Sequence, residues 1–454
     1  MRELLDYSIR QIDNLYSYYQ VQQKNVMTYL VQNVNKFKYG VILNRFFMNQ
    51  IDPKKTGPLS ENEKNIIADM IEDFDVVKAE AEDTYRVSYK LRDDFKVEDQ
   101  YELDPNRARE EFISLMQQPV ILSESVLMML LIKYEDSISR VFRYLIGKYP
   151  QAFLSDKSIT YSELLNLNSN ISEIKEMFIA KEIDSIMREP ISDWYESLEK
   201  RQKAHFLFAD HLFEKFKEVY YRRNLVVHNQ GVVNETYLRN VKGSTLKIGD
   251  NVDVDQDYLE NAFALTRLML IDTYFGLRKV ADDAAEITAW ISSYGYNCLV
   301  EKKWSQAKYI FSVLLQDDKM QSIDQLIAKV NYWIAVKNLN GIDAIQQEVK
   351  NLDTSAMQLQ FSVAKAALLD ENDKLTDLLD ECLKTNEIPA YYIKTWPLLN
   401  EFRNSEYYDT FVDKHRENMN IGEYETPSSN DALLLSESEK DSNELLEDEE
   451  TMAK

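Results

Sequence analysis

Ten glycines and nine prolines are all that punctuate 454 residues. That scarcity constrains the chain more than any motif does. Folds built from strands and tight turns need glycine and proline at every reversal, whereas long helices exclude both from their interiors. The expected fold class is therefore all-α: a helical bundle, then a short array of helix pairs, with one small β-hairpin insertion and a disordered acidic tail.

The formal net charge is −24. Residues 421–454 hold eleven acidic against two basic residues, which leaves −15 on the rest of the chain. Such a surface offers no general attraction for nucleic acid, so any RNA contact has to come from a confined basic site. The tail is Ser-rich and nearly free of aromatics, and a composition of that kind is expected to stay disordered. The two cysteines, Cys298 and Cys382, are 84 positions apart. With no C-x-x-C or Cys/His cluster, zinc and a disulfide framework are both disfavoured, and a reducing cytoplasm fits. The segment Met1 to Asp6 has no apolar signal character, and the longest apolar run, Val126 to Ile132, has seven residues. That is too short to span a bilayer. The expectation is a soluble, cytoplasmic protein with no membrane contact and no metal or cofactor.

Along the chain, Leu4, Leu5, Ile9, Ile12, Leu15, Tyr16 and Tyr19 recur at spacings of three and four, which predicts helix over 1–48. Residues 52–58 are a loop. Helix is expected from Asn62 to about Leu91, although Tyr85, Val87, Tyr89 and Leu91 alternate as a short strand would. The strongest helix is expected over 123–150, capped by Ser123 or Ser125 and apolar almost all round, hence central to the bundle. Helices over 171–188, 191–198 and 205–230 follow. Gly249-Asp250-Asn251 between Leu246–Ile248 and Val252–Val254 predicts a small hairpin, and a full helix spans Tyr258 to about Val280.

The chemistry concentrates at the end of the 205–230 helix, in Tyr221-Arg222-Arg223-Asn224-Leu225-Val226-Val227-His228-Asn229-Gln230-Gly231. Gly231 is a natural stop. Arg223, Asn224 and His228 are set into an apolar surface. Asn224 and His228, four apart, share a face. No ion partner is evident in the sequence, and burying such groups without one is costly. They serve a structural ion pair and a C-terminal cap, or they meet a ligand.

The spacing Arg-Asn-x-x-x-His resembles the signature of the HEPN superfamily, whose members are helical, usually dimeric, and in many cases metal-independent RNA endonucleases. The resemblance covers roughly residues 120–280. It implies Arg223 and His228 as the catalytic pair, with Asn224 as the polar residue following the arginine. It also implies a two-fold dimer with RNA as substrate. The residues suit such chemistry: His titrates near neutrality, and the planar guanidinium matches phosphate oxygens. Arg222, Arg239, Lys242 and Lys247 are available as a basic rim. The alternatives are a HEPN-like module that binds RNA or nucleotide without cutting, and a scaffold whose repeats bind protein. His205 and His211, six apart, are poorly spaced for chelation.

From about residue 285 the pattern changes. Gly295, Trp304, Ala307 and Phe311 stand where a tetratricopeptide repeat places Gly, an aromatic, Ala and Phe, the small residues letting two helices touch. Helix pairs are expected over 326–352 and 356–383, with 391–411 as a cap, and the array is a surface for a protein partner or trigger. The expected domains are an N-terminal helical region of unassigned function (1–119), a HEPN-like domain (120–284), tetratricopeptide-like repeats (285–420) and the tail (421–454).

Overall fold

A computed structural model describes residues 1–78, 85–96, 101–160, 162, 170–317 and 320–419; the acidic tail lies outside the described residues. Apart from one two-stranded sheet, the regular elements among them are helical.

Helix α1 (Arg2–Asn33) buries Leu5, Ile9, Ile12, Leu15 and Tyr19 along one stripe, as the three–four spacing requires. A turn of tighter helix over 34–37 leads into α2 (Lys38–Ile51). Gly40 lies where α2 crosses the long helix that follows. A Cβ there would stand 2.3 Å from Ala108 Cβ and 2.7 Å from the Glu102 carbonyl oxygen, so only glycine allows the approach. Helix α3 (Glu61–Met70) opens on a reciprocal cap between Ser60 and Glu63 and stops at Met70. The helix expected to run on to Leu91 instead gives way to strands β1 (Ile71–Lys78) and β2 (Tyr85–Leu91), paired antiparallel with Val76 opposite Val87. Alternation outweighs helix periodicity here because Leu43, Phe46, Phe47, Ile67, Met70 and Ile71 form a separate small core. Val76, Val87, Tyr89 and Leu91, from one face of the sheet, pack against it.

Helix α4 (Pro105–Lys148) is longer than the expected 123–150 segment. Asp104 caps it, its Oδ1 accepting from Asn106 N at 3.0 Å and Arg107 N at 2.8 Å, with Pro105 in the first helical position. Ser123 is thus an interior residue and not a cap, and the boundary expected at 119/120 falls inside one continuous helix. Among the described residues α4 alone is long and apolar enough to cross a membrane by length and composition. Val126, Leu127, Leu130, Leu131, Tyr134, Ile138, Val141 and Phe142 on it are fully buried in the bundle, while Met129 and Ile132 are exposed.

Helices α5 (Ile171–Met187), α6 (Ile191–Gln202), α7 (Leu212–Asn229) and α8 (Gln256–Leu277) complete the bundle. α8 is its axis: every residue from Leu268 to Leu277 is buried. The hairpin expected over 246–254 does not form. Val252 N donates to the Gly231 carbonyl at 2.8 Å and Val233 N to the Asp250 carbonyl at 2.8 Å. The segment pairs with the residues after α7, since that places Val252 in a cluster with Leu225, Val233, Tyr237 and Val241.

Beyond α8 come α9 (Ala284–Val300) and α10 (Trp304–Leu314), which touch where sequence reasoning places them. A Cβ on Gly295 would stand 2.9 Å from Ile310 Cγ2 and 3.0 Å from Phe311 Cζ, and Ala307 is fully buried. Helix α11 (Ser322–Asn340) turns at Gly341, with φ at 82°, into a short helix over Gln346–Asn351. α12 (Leu359–Leu368), α13 (Asn372–Thr385) and α14 (Glu406–Lys414) follow. One apolar core runs without a break from Leu5 in α1 through the bundle to Phe411 in α14.

Candidate functional site

Helix α7 begins later than its apolar pattern suggests. Residues 205–208 are a loop, a single 3-10 turn covers Ala209–His211, and the helix proper starts at Leu212. The chain is held out of the helix by left-handed conformations at Phe208, Asp210 and His211, with φ of 43°, 54° and 57°. Asp272 of α8 pins this loop. Its carboxylate accepts from Leu207 N at 3.1 Å, Phe208 N at 3.2 Å and the Tyr309 hydroxyl at 2.5 Å. Burial pushes the Asp272 carboxyl above its usual range even against these bonds. His205 and His211 are exposed residues of this loop and do not share a helix.

At its other end α7 stops in a paired left-handed turn. Gln230 has φ 52° and Gly231 φ 75°, and Gly231 N donates to the Leu225 carbonyl at 3.0 Å. Leu212, Phe216 and Val219 form the buried stripe of α7, with the Phe216 ring 4.5 Å from that of Tyr134 on α4. Arg223 continues that stripe.

This position gives Arg223 an ion partner that sequence reasoning did not supply. Its Nη2 donates to Glu135 of α4, and its guanidinium lies 5.1 Å from the centre of the Tyr220 ring. The Arg223 side chain is 16% exposed and that of Glu135 29%. The Nε of Arg223 is buried and finds no hydrogen-bond partner among the described residues. Burial, then the Glu135 charge, push the Tyr220 phenol up to about 12. The signal that would have found Glu135 is its place in Tyr134-Glu135-Asp136, the acidic interruption of an otherwise apolar helix.

Asn224 is half-buried and His228 exposed. Neither side chain makes a hydrogen bond or ion pair among the described residues. On a helix wheel His228 lies about 140° round from Arg223 and one turn from Asn224. The three groups therefore share a helix end but not one direction: Arg223 is turned toward α4, His228 is exposed, and half-buried Asn224 lies between them on the wheel. Apolar side chains are exposed nearby, Val227 on α7 and Ile132 on α4, the latter three residues before Glu135.

Arg222 is not part of a basic rim. Its Nε donates to Glu218 at 2.7 Å, its Nη1 to the Asp253 carbonyl at 2.6 Å, and its guanidinium stacks 4.0 Å from the centre of Tyr258. Glu218 also accepts from Tyr237 and Tyr258, each at 2.8 Å. This network clamps residues 232–254 onto α7. Arg239, Lys242 and Lys247 are exposed. Cys298 and Cys382 are buried, and burial pushes both thiols up to about 12, so neither is a ready nucleophile. His415 is bound to Asp380 at 2.5 Å. Among the described residues no three His, Cys, Asp or Glu side chains converge as metal ligands would.

No family model, no curated protein and no solved structure matches this chain.

Proposed function

We propose that the chain is a metal-independent RNA endonuclease of HEPN type, cleaving by attack of the 2′-hydroxyl on the adjacent phosphate. The observation that carries the reading is His228: an exposed imidazole without a partner among the described residues, one turn from Asn224, at the same helix end as a held Arg223. In this scheme His228 moves the proton. Arg223 keeps Nη1 for a phosphate oxygen while Glu135 fixes its plane. One histidine cannot readily be base and acid in one step, so the active unit is a two-fold dimer that brings two α7 ends together. Exposed Val227 and Ile132 beside the site support such a contact, since covering them removes apolar area from water. The resemblance further suggests a cytoplasmic toxin or antiviral effector, with helices α9–α14 as the surface for a protein partner.

The Arg223–Glu135 pair favours a second reading. In it Arg223 anchors α7 to α4, the module binds RNA or nothing, and the helix pairs act as a scaffold. One experiment separates the two. Purified protein is incubated with RNA in excess chelator and the product ends are analysed. The nuclease reading expects cleavage that persists, leaves a 2′,3′-cyclic phosphate and a 5′-hydroxyl, and vanishes in His228→Ala. Full activity in His228→Ala, or activity that requires magnesium, overturns it.

A further inference from the structure

A cavity of about 710 Å³ opens between α1, α8 and α9 and shares no residue with the α7 site. Its size falls within the range of small-molecule sites. Two features of its lining stand out.

The first is an aromatic platform. Trp290 and Tyr294, one turn apart on α9, are stacked with ring centres 5.2 Å apart and planes inclined by 9°. The Trp290 Nε1 donates to Asp6 Oδ1 at 3.1 Å, which fixes the indole in place. The second is Arg267 of α8, whose side chain is only 4% exposed. Its Nε donates to Asp13 Oδ1 at 2.7 Å, and its guanidinium sits 5.0 Å from the Tyr16 ring centre and 5.6 Å from that of Phe263. Its two terminal nitrogens form no hydrogen bond among the described residues. They are not sealed in the core, so they stand as donors toward whatever occupies the cavity.

The charges of the wall are balanced pair by pair: Asp13 with Arg267, Asp6 with Arg10 and Glu301 with Lys303. A simple anion or a simple cation gains little from such a wall. The Asp13–Arg267 pair instead offers N–H donors beside a carboxylate oxygen. That complements a planar group with an acceptor and a donor on one edge, and the stacked rings offer that group a flat face. Heteroaromatic bases carry both features. We propose that this cavity binds a nucleobase-bearing small molecule, a nucleoside or mononucleotide. Its base would lie on Trp290 and Tyr294, with its polar edge on Asp13 and Arg267. Arg10 and Lys303 also line the cavity and are the cations available to a phosphate. Because the walls come from α1, α8 and α9, an occupant would tie the bundle to the helix pairs.

The full-length protein is titrated with adenosine, guanosine, ATP and GTP, reading tryptophan fluorescence and calorimetric heat. The expected result is saturable binding of at least one, with fluorescence quenching that is lost in Trp290→Phe. Asp13→Asn, which leaves the nearly buried Arg267 without its ion partner and is therefore checked for folding by circular dichroism, should weaken binding about tenfold, as loss of one recognition contact does. Arg267→Lys should weaken it similarly, with circular dichroism as the check on folding. No saturable heat for any of the four up to about 1 mM, a range that captures even weak sites, overturns the proposal. So does unchanged affinity in folded Asp13→Asn, or inorganic pyrophosphate binding as tightly as the nucleotides.

Discussion

Replacing Glu135 and Arg223 by alanine, singly and together, separates a structural role from a chemical one. The two side chains are 29% and 16% exposed, between the surface and buried limits. Exposed pairs contribute about 0–1 kcal/mol, and breaking a buried pair costs about 3–5. Each single change here should therefore cost about 2 kcal/mol. The loss is shared, because either change strands the other group against Tyr220. The double change should cost little more than one, a coupling of about 1–2 kcal/mol. In a chain of this size that moves the melting temperature by only about 2 °C, so urea titration is the better readout. Stability cannot tell which partner was removed, but catalysis can. Arg223→Ala should abolish RNA cleavage, while Glu135→Ala, which keeps the guanidinium but frees its plane, should lower it only in part at equal folded fraction. Equal loss of cleavage in the two variants would mean that Arg223 acts only through the fold. No loss of stability in Glu135→Ala would remove the ion pair from the account altogether.

Mixing an Arg223→Ala chain with a His228→Ala chain should restore weak cleavage if two protomers share the site; an inert mixture, with heterodimers verified by native mass spectrometry, counts against a shared site. His228→Ala alone should change stability by less than about 0.5 kcal/mol, as exposed residues do, and a larger shift in urea titration would show a structural role. Gly276→Ala places a methyl 2.6 Å from the Phe206 ring and 2.8 Å from the His205 carbonyl oxygen; it should cost about 2–3 kcal/mol and speed hydrogen exchange over 205–211. Burial alone would raise Asp380, but hydrogen bonds from Lys414 and His415 outweigh it and hold the carboxyl below its usual range. The stability this contributes is present above the unfolded carboxylate range and is lost as pH falls through the depressed folded value. Acid unfolding followed by fluorescence should therefore lose part of its pH dependence in Asp380→Asn; an unchanged profile would contradict that assignment.

Periodicity and composition alone were enough to establish the all-α class, because 3.6-residue spacing with little glycine or proline is a local property that each helix expresses by itself. The same holds for the contact at Gly295, where small residues mark a crossing whatever the partner. The sequence also singled out Arg223, Asn224 and His228 as polar groups on an apolar helix. It could not show that they point in different directions, that Glu135, 88 positions away, claims Arg223, or that Arg222 is spent on Glu218 and Asp253. Nor did it show where α7 begins, since Asp272 on α8 sets that boundary by binding the loop from outside. The misplaced hairpin has the same origin: a turn at Gly249-Asp250 is a local signal, but the segment that Val252 meets was chosen by the cluster around Leu225 and Val233. Backbone periodicity is decided within a few residues of chain. The partner of a charge, and the last turn of a helix, are decided by whatever the packed core brings within hydrogen-bond reach.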